Sequence, residues 1–376
     1  MSAWLLVAGD FTTFGGMDTA NFALASYLSR QAREDVHIVA HTIAAELASQ
    51  PRVQPHRVPR PFGRHRFGEP LMRHWARRWQ STLAPAGVRV VANGGNVDAG
   101  DVNWVHYVHA AFTPTAAGTM HRRRIDARHR RYVAEERAAL ARARVVICNS
   151  QRTLSDVVAA GVPRDRAHVV YYGIDAARFG AIDADERAAA RLALALPPDR
   201  PLALFSGALG DRRKGFDTLF DAWRALCGRD DWDVDLVVTG AGAELAAWQA
   251  RAAALGGGRI RFLGFRRDMA SVFAASDVLV HPARYEAYGL AVHEALCRGL
   301  PAIVSAAAGV AERYPEDLGG LLLQDPESAG ELVRALLAWR SDATARDRVA
   351  PFASRLRARG WDHMGHEIES IVQGAA

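Results

Sequence analysis

The sequence predicts an α/β protein of two domains with parallel sheets, and three observations lead there. Short strands rich in Val and Ile alternate with longer helical stretches along the chain. Several strands are apolar on consecutive residues, as strands buried on both faces are. The 376 residues also exceed what one compact core usually holds.

In the first half, strands fit residues 4–9, 36–40, 88–92, 103–108, 144–149 and 167–171. Helical patterns lie at 17–30, 70–82, 127–143 and 151–160. The opening decapeptide lacks a basic segment and a long apolar run, so it reads as the first strand and not as a signal peptide. The stretch from Gly173 to Arg200 breaks the rhythm with an Ala-rich piece and Pro197-Pro198-Asp199, and the domain boundary is placed there, at 173/174. In the second half, strands fit 201–207, 233–240, 259–264, 277–281, 300–304 and 320–323. Helices fit 215–227, 243–254, 268–275, 288–298 and 326–339. Two further helical patterns follow 341, separated near Gly360. Strand–helix alternation implies right-handed crossovers, with ligands at the carboxyl ends of the strands.

Composition narrows the classes. Hydrophobic residues make 49% and charged residues 23%, which excludes a disordered chain. No apolar run approaches ~18 residues, so no membrane-spanning helix is expected. Cys148, Cys227 and Cys297 are odd in number and widely spaced, with neither disulfide nor zinc spacing, which points to a cytoplasmic chain. Cys148 and Cys297 sit in apolar stretches and read as buried small hydrophobes. The net charge of +6 suits an anionic partner. Of 47 basic residues only Lys214 is a lysine, which points to a place for a compact ammonium. Residues 52–78 hold eight arginines with Phe62, Phe67 and Trp75 interleaved and one acid, Glu69, while 121–131 hold six arginines. These clusters fit either a solvated surface or an anionic membrane face. No nucleic-acid motif accompanies them.

Four motifs bear on chemistry. Gly15-Gly16 joins the first strand to a helix, where close backbone approach and free N–H groups suit an anion; a plain strand-to-helix turn has the same sequence. Ser206-Gly207-Ala208-Leu209-Gly210-Asp211-Arg212-Arg213-Lys214-Gly215 puts adjacent cations at a glycine-rich loop, suiting a diphosphate, and it lacks the P-loop spacing. Glu286-Ala287-Tyr288-Gly289-Leu290-Ala291-Val292-His293-Glu294 sets one carboxylate in a loop after a strand and a second about two turns into a helix. Such carboxylates accept from sugar hydroxyls, and amides at the helix start serve a phosphate. Trp104-Val105-His106-Tyr107-Val108-His109 ends a strand with His109 at its ligand-binding end; His106 and His109 make a weak metal pair, and either fits a structural histidine. The D-x-D of Asp231 and Asp233 reads as a polar strand start, and Thr239-Gly240-Ala241-Gly242 as a tight turn.

In order, these motifs resemble those of family-4 retaining glycosyltransferases of the GT-B fold. The matching elements are Gly15-Gly16, Val105-His106-Tyr107-Val108-His109, Gly173-Ile174-Asp175, Arg213-Lys214-Gly215, Phe262-Leu263-Gly264, the Glu286/Glu294 pair, and Glu294–Ser305. The resemblance spans essentially the whole chain and is strongest over 201–325. It implies two Rossmann-like domains facing a central cleft: an acceptor domain at 1–173, a nucleotide-sugar domain at 174–350, and a C-terminal helix in 351–376 returning to the first.

Carried over by position, His109, Glu286, Arg213 and Lys214 are the catalytic set. Donor contacts fall to Gly15, Gly16, Arg213, Lys214, Gly264, Phe265, Glu286, Tyr288, Gly289, Leu290 and Glu294. Arg213 and Lys214 would neutralise the diphosphate, and Gly16 would meet it from the first domain. Glu286 and the amides after it would hold the transferred sugar, with His109 beside it. Glu294 would take the ribose, and Gly264-Phe265 would flank the base. No metal and no cofactor beyond the nucleotide-diphosphate sugar are implied. The acceptor would be a glycan or lipid-linked precursor of envelope polysaccharide or glycolipid, met at the inner membrane face. Three departures from the family pattern stand out: Ala208 where an arginine is usual, Tyr172 where an asparagine is usual, and Ala308-Gly309 for a Gly-Gly pair. A GT-B sugar-nucleotide epimerase and a non-catalytic nucleotide-sugar-binding protein are the alternatives.

Overall fold

The computed structural model describes residues 2–31, 33–97, 101–114, 119–255 and 258–374, with the backbone alone at 65, 66 and 119–121. Two members of the basic clusters, Arg66 and His121, therefore have side chains outside the described set. The chain divides into two compact units, Met1–Gly173 with Gly360–Ala376, and Ile174–Arg359.

The first unit is built on a seven-stranded sheet and a two-stranded one. Its strands are β1 (Ala3–Val7), β2 (Asp10–Phe11), β3 (Asp35–Ala40), β4 (Thr42–Ile43), β5 (Val53–Arg57), β6 (Val88–Asn93), β7 (Val102–Val105), β8 (Val145–Cys148) and β9 (Ala167–Val169). The large sheet runs β5-β3-β1-β6-β7-β8-β9, and β2 pairs with β4. Helices α1 (Gly16–Arg30), α2 (Ala45–Ala48), α3 (His65–Leu83), α4 (Thr119–Arg142) and α5 (Gln151–Ala159) connect these strands. Every residue of β1, β7 and β8 is buried, as the unbroken apolar runs of β1 and β8 require, while β7 buries Asn103, whose amide bonds the Gly94 backbone. The proline-bearing edge strand β5 was not among the expected strands. It has one buried residue and polar neighbours, so it lacks an apolar run to read. The expected strand 103–108 ends at Val105, its last residue paired with β8.

The second unit is a six-stranded sheet ordered β12-β11-β10-β13-β14-β15, parallel throughout. Its strands are β10 (Leu202–Ser206), β11 (Asp235–Thr239), β12 (Ile260–Gly264), β13 (Val278–His281), β14 (Ala302–Ser305) and β15 (Leu322–Leu323). Its helices are α6 (Ala184–Ala193), α7 (Phe216–Cys227), α8 (Leu245–Ala254), α9 (Met269–Ala275), α10 (Leu290–Cys297), α11 (Ala329–Ser341) and α12 (Ala345–Arg357). The Ala-rich piece read as a break is α6, started by Asp183, whose carboxylate accepts from Glu186 N–H at 2.7 Å. The core rests on β10, β11, β13, β14 and α7, with the Trp223 and Trp232 rings edge-on at 5.5 Å.

The segment expected to return as a block at 351 divides instead: 351–359 stays with the second unit through α12, and α13 (Trp361–Gly374) packs on α1 in the first. Tyr27 Oη donates to Glu369 Oε2 at 2.9 Å, and an added Cβ on Gly365 would overlap the Tyr27 ring. The buried face of α12, Val349, Phe352, Ala353 and Leu356, is what holds residues 351–359 to the second unit. Of the cysteines, Cys148 and Cys297 are buried and Cys227 is half-buried. No helix among the described residues is long and apolar enough to cross a membrane.

Candidate active site

In the second unit, the loops at the carboxyl ends of β10 and β13 bring one group of charges together. After β10 the chain passes Gly207–Gly210, braced by Gly207 N–H to Thr239 O (3.1 Å) and Leu209 N–H to Ala241 O (3.0 Å). The Thr239–Gly242 turn thus supports the cationic loop. A 3-10 turn, Arg212–Lys214, ends at Gly215 in the left-handed region (φ 72°), where any Cβ would overlap the Pro282 carbonyl oxygen. This close approach presses the cationic turn onto the end of β13.

Lys214 Nζ lies 2.5 Å from Glu286 Oε2, and His281 Nε2, at the end of β13, lies 3.1 Å from the same oxygen. Burial pushes the Glu286 carboxyl up, but Lys214, the His281 hydrogen bond and Arg213 outweigh it and hold the group well below the usual range. Burial lowers His281 in turn, so a neutral ring donates Nε2–H to Glu286. Arg213 bonds Asp211 through Nε (3.1 Å) and Nη2 (3.0 Å), and Arg212 pairs with Asp217 at 2.7 Å. With Ala208 in the usual arginine place, Arg213 is the guanidinium whose charge acts on Glu286, and Asp211 orients it.

The loop then enters α10 through Gly289 (φ 106°), whose conformation suits glycine. The N–H groups of Leu290, Ala291 and Val292 lie in the first turn and have no intrahelical acceptor. Gly309 N–H donates to Glu286 O (3.0 Å) and Val310 N–H to Tyr288 O (2.7 Å), so Ala308-Gly309 clamps this loop. Tyr288 is buried, and its hydroxyl meets His293 Nδ1 and Arg313 Nη1. Burial, helped by Arg313 and Arg359, holds His293 down at about 3. Glu294 differs from Glu286. Burial raises it to about 8, opposed by the charge of Arg178. Gly264 ends β12 and accepts from Gly240 N–H at 2.8 Å, and Phe265 beside it is 63% exposed.

In the first unit, Gly15 (φ 90°) precedes α1 and Gly16 begins it. A Cβ on Gly15 would stand 3.1 Å from Asp18 Oδ2, so a carboxylate already sits at this helix start. Burial and the neighbouring Asp10 raise Asp18 to about 7. Asp10 itself is paired with Arg60 at 2.6 Å. His109 follows β7, and Glu136 on α4 anchors it: the backbone N–H donates at 3.0 Å and Nδ1 lies 3.1 Å from the carboxylate. This fixes the proton on Nδ1 and leaves Nε2 for a ligand. His106 is buried, held at about 3 by burial, with Nδ1 on the Tyr172 hydroxyl. His106 is therefore a structural histidine, and Tyr172, in the usual asparagine place, is its partner.

Two family models match the chain: "Glycosyltransferase Family 4" over residues 14–178 and "Glycosyl transferases group 1" over 200–342. The chain belongs to the family-4 glycosyltransferases. A D-inositol 3-phosphate glycosyltransferase of Xylanimonas cellulosilytica is 34% identical over 245 residues, 62% of this chain and 57% of that protein. A D-inositol 3-phosphate glycosyltransferase of Catenulispora acidiphila is 31% identical over 54% of this chain and 51% of its own length. The chain thus spans about half the length of these curated relatives. Among solved structures, WaaG, a glycosyltransferase involved in lipopolysaccharide biosynthesis, superposes with a TM-score of 0.79 at 20% identity, covering 99% of this chain and 100% of that one. Anabaena HepE in complex with UDP and glucose gives 0.73 at 19% identity, covering 98% and 99%. The fold is GT-B.

Within this family member, sequence reasoning missed three residues that touch the expected set. His281 could have been found from its place at the end of an apolar strand, five residues before Glu286. Asp211 lies inside the motif that was read for its cations. Glu136 gives no local signal, since it sits 27 residues from His109 on a helix crowded with arginine. The D-x-D acids pair with arginines, Asp231 with Arg229 (2.7 Å) and Asp233 with Arg340 (2.5 Å). Among the described residues no group of three or more His, Cys, Asp or Glu side chains is placed to hold a metal ion.

Proposed function

We propose that the chain transfers a sugar, with retention, from a nucleotide-diphosphate sugar held by the second unit to an acceptor recognised by the first. The observation that supports this most is the Lys214–Glu286–His281 cluster beside the first turn of α10, with Glu294 desolvated and without a strong partner charge. In this reading Lys214 and Arg213 face the diphosphate with the amides of Tyr288, Gly289 and Leu290. Glu286 takes hydroxyls of the transferred sugar, and Glu294 takes the ribose diol. Gly15-Gly16 gives the first unit a helix start of its own that suits an anion, best once Asp18 is protonated. Gly264 and Phe265 flank the base.

The bond from the anomeric carbon to the diphosphate oxygen breaks as the bond to the acceptor oxygen forms on the same face. The acceptor proton goes to the departing phosphate oxygen, so no protein nucleophile, metal or further cofactor takes part. Fixed cations and helix-start amides stabilise the leaving charge, each cation by a few kcal/mol at the transition state. His109 Nε2 accepts a hydroxyl.

The basic first unit suits an anionic or lipid-linked acceptor. Relatives named for D-inositol 3-phosphate, and a Mycobacterium tuberculosis relative named as a GDP-mannose-dependent phosphatidylinositol dimannoside mannosyltransferase, make phosphorylated inositols the first acceptors to try, before envelope glycan precursors. A surface for the inner membrane face is at hand. Phe62, 88% exposed at positive φ, meets Phe67 edge-on at 5.6 Å at the start of α3. Arg64 is exposed beside them, Arg77 and Arg78 are exposed further along α3, and Glu69, the acid of this stretch, is buried against Arg131 of α4.

A thermal-shift panel of UDP-, GDP-, ADP- and TDP-sugars without metal tests the donor reading. Saturation at about 100 times Kd gives roughly 2.7 kcal/mol of stabilisation. One clear responder names the donor, whereas silence from all four sinks the proposal.

A further inference from the structure

The second unit has another cationic site at the opposite, amino-terminal edge of its sheet. An open cavity of about 480 Å3 lies there, walled by α6, the Pro198–Pro201 loop and the start of α12. At its floor is Asp277, the residue before β13. It accepts from Arg187 Nη1 (2.6 Å), Arg191 Nη2 (2.8 Å), Arg346 Nη2 (3.2 Å) and the Leu202 backbone N–H (2.8 Å). Three guanidiniums thus share one carboxylate.

They are not equivalent. Arg191 is nearly fully buried and gives its other nitrogens to carbonyls, Nε to Ala275 (3.0 Å) and Nη1 to Pro197 (3.3 Å), so it belongs to the framework. Arg187 and Arg346 each use a single nitrogen, on Asp277 and on Ser276 O. Their remaining N–H groups have no partner among the described residues, although both side chains wall the cavity. Arg346 is also the second residue of α12, a cation at the positive end of a helix dipole. Burial, then Arg187, lowers its guanidinium to about 10. The other acids on the wall are Asp183, which caps α6, and Asp199 in the Pro198–Pro201 loop. Four arginines on the wall (Arg187, Arg191, Arg200 and Arg346) thus face three aspartates.

We propose that this cavity binds a phosphate group, as free phosphate or a small phosphomonoester, between Arg187 and Arg346. A tetrahedral dianion accepts forked N–H pairs from two guanidiniums, which a fully engaged Asp277 does not. The site is separate from the donor loops, yet two strands join them. β10 runs from Leu202, bonded to Asp277, to the loop bearing Lys214, and β13 runs from beside Asp277 to His281. Phosphate here is therefore placed to act as an effector of the Lys214–Glu286–His281 cluster.

Calorimetric titration of the full chain with inorganic phosphate and, in parallel, glycerol 3-phosphate tests this, with chloride at matched ionic strength as control. Wild type, Lys214→Ala, Arg187→Gln and Arg346→Lys are compared. The expected result is millimolar binding by wild type and Lys214→Ala, weakened at least 10-fold in Arg187→Gln, with Arg346→Lys intermediate. Binding lost in Lys214→Ala but kept in Arg187→Gln would place the anion at the donor loops and overturn the proposal. Heat no greater than chloride gives in wild type would make the arginines purely structural and overturn it equally.

Discussion

Glu286 and Glu294 are the same residue type eight positions apart, both partly screened from solvent, and their carboxyls move in opposite directions. The loop before α10 surrounds Glu286 with Lys214, His281 and Arg213, and its charge is held in place in advance. The helix leaves Glu294 with burial and the charge of one arginine, Arg178, and its proton stays on to about pH 8. Burial alone therefore does not set the state of a carboxylate here; the partners brought by neighbouring loops do. The loop carboxylate is finished by the fold, whereas the helix carboxylate lacks the donors that a diol would supply.

The largest expected effect comes from breaking the finished side. Lys214→Ala should lower kcat/KM for transfer by about 10²–10³-fold, the usual cost of removing one transition-state charge partner. It should also destabilise the fold, since losing one partner of a largely buried pair costs about 3–5 kcal/mol. Adding Glu286→Gln should recover much of that stability in denaturant titrations and none of the activity. Full turnover by the single variant would remove Lys214 from the diphosphate.

The unfinished side gives the next effect, and it depends on pH. Between about 4.5 and 8 the native state holds a proton on Glu294 that the unfolded chain has released. Stability from this group therefore falls as pH rises through that window and levels off above it. Glu286 behaves oppositely: its contribution is present above the unfolded value of 4.5 and is lost as pH falls through its depressed native value. On the proposed role, a ribose diol needs the Glu294 carboxylate, so donor affinity in wild type should rise from pH 7 to 9 with proton release on binding. Glu294→Ala should weaken the donor by about 10- to 150-fold, the worth of a hydrogen bond to a charged group, and flatten that pH dependence. Calorimetry in buffers of different ionisation enthalpy reads both, and an unchanged slope in the variant would exclude Glu294 as the diol acceptor.

The contrast also shows why one half of the molecule was easier to read. Arg213, Lys214, Glu286 and Glu294 lie in short contiguous motifs after apolar strands, and parallel topology sends such loops to one edge. The strand order itself and the support under the loops, His281 and the Ala308-Gly309 clamp, depend on which strands lie adjacent, which no local pattern states. In the first unit the polar edge strand β5 has no apolar run, and His109 depends on Glu136 across a helix. Asp18, three residues beyond Gly15, was in plain view. Its effect on the helix start follows only from its burial beside Asp10.

Glu136 extends the comparison to a third carboxylate, buried and fully engaged by His109. Glu136→Gln offers a mixed donor–acceptor in place of two acceptors, so the His109 ring loses its fixed tautomer. Turnover should drop about 10- to 100-fold while donor affinity holds, and a fall in affinity alone would argue against any role for His109 in the transfer step.

Phe265 gives the smallest effect and tests the comparison where no charge is involved. Its ring is 63% exposed and contributes little to the core, so Phe265→Ala should leave stability within about 0.5 kcal/mol. If the ring flanks the base, removing it costs stacking, about 1 kcal/mol for so exposed a ring, and raises the donor Kd about 5-fold without changing kcat. The loss should also be the same at pH 7 and pH 9, unlike that of Glu294→Ala. Equal donor binding by variant and wild type would move the base away from the end of β12, and a pH-dependent loss would mean that Phe265 acts through the Glu294 carboxylate.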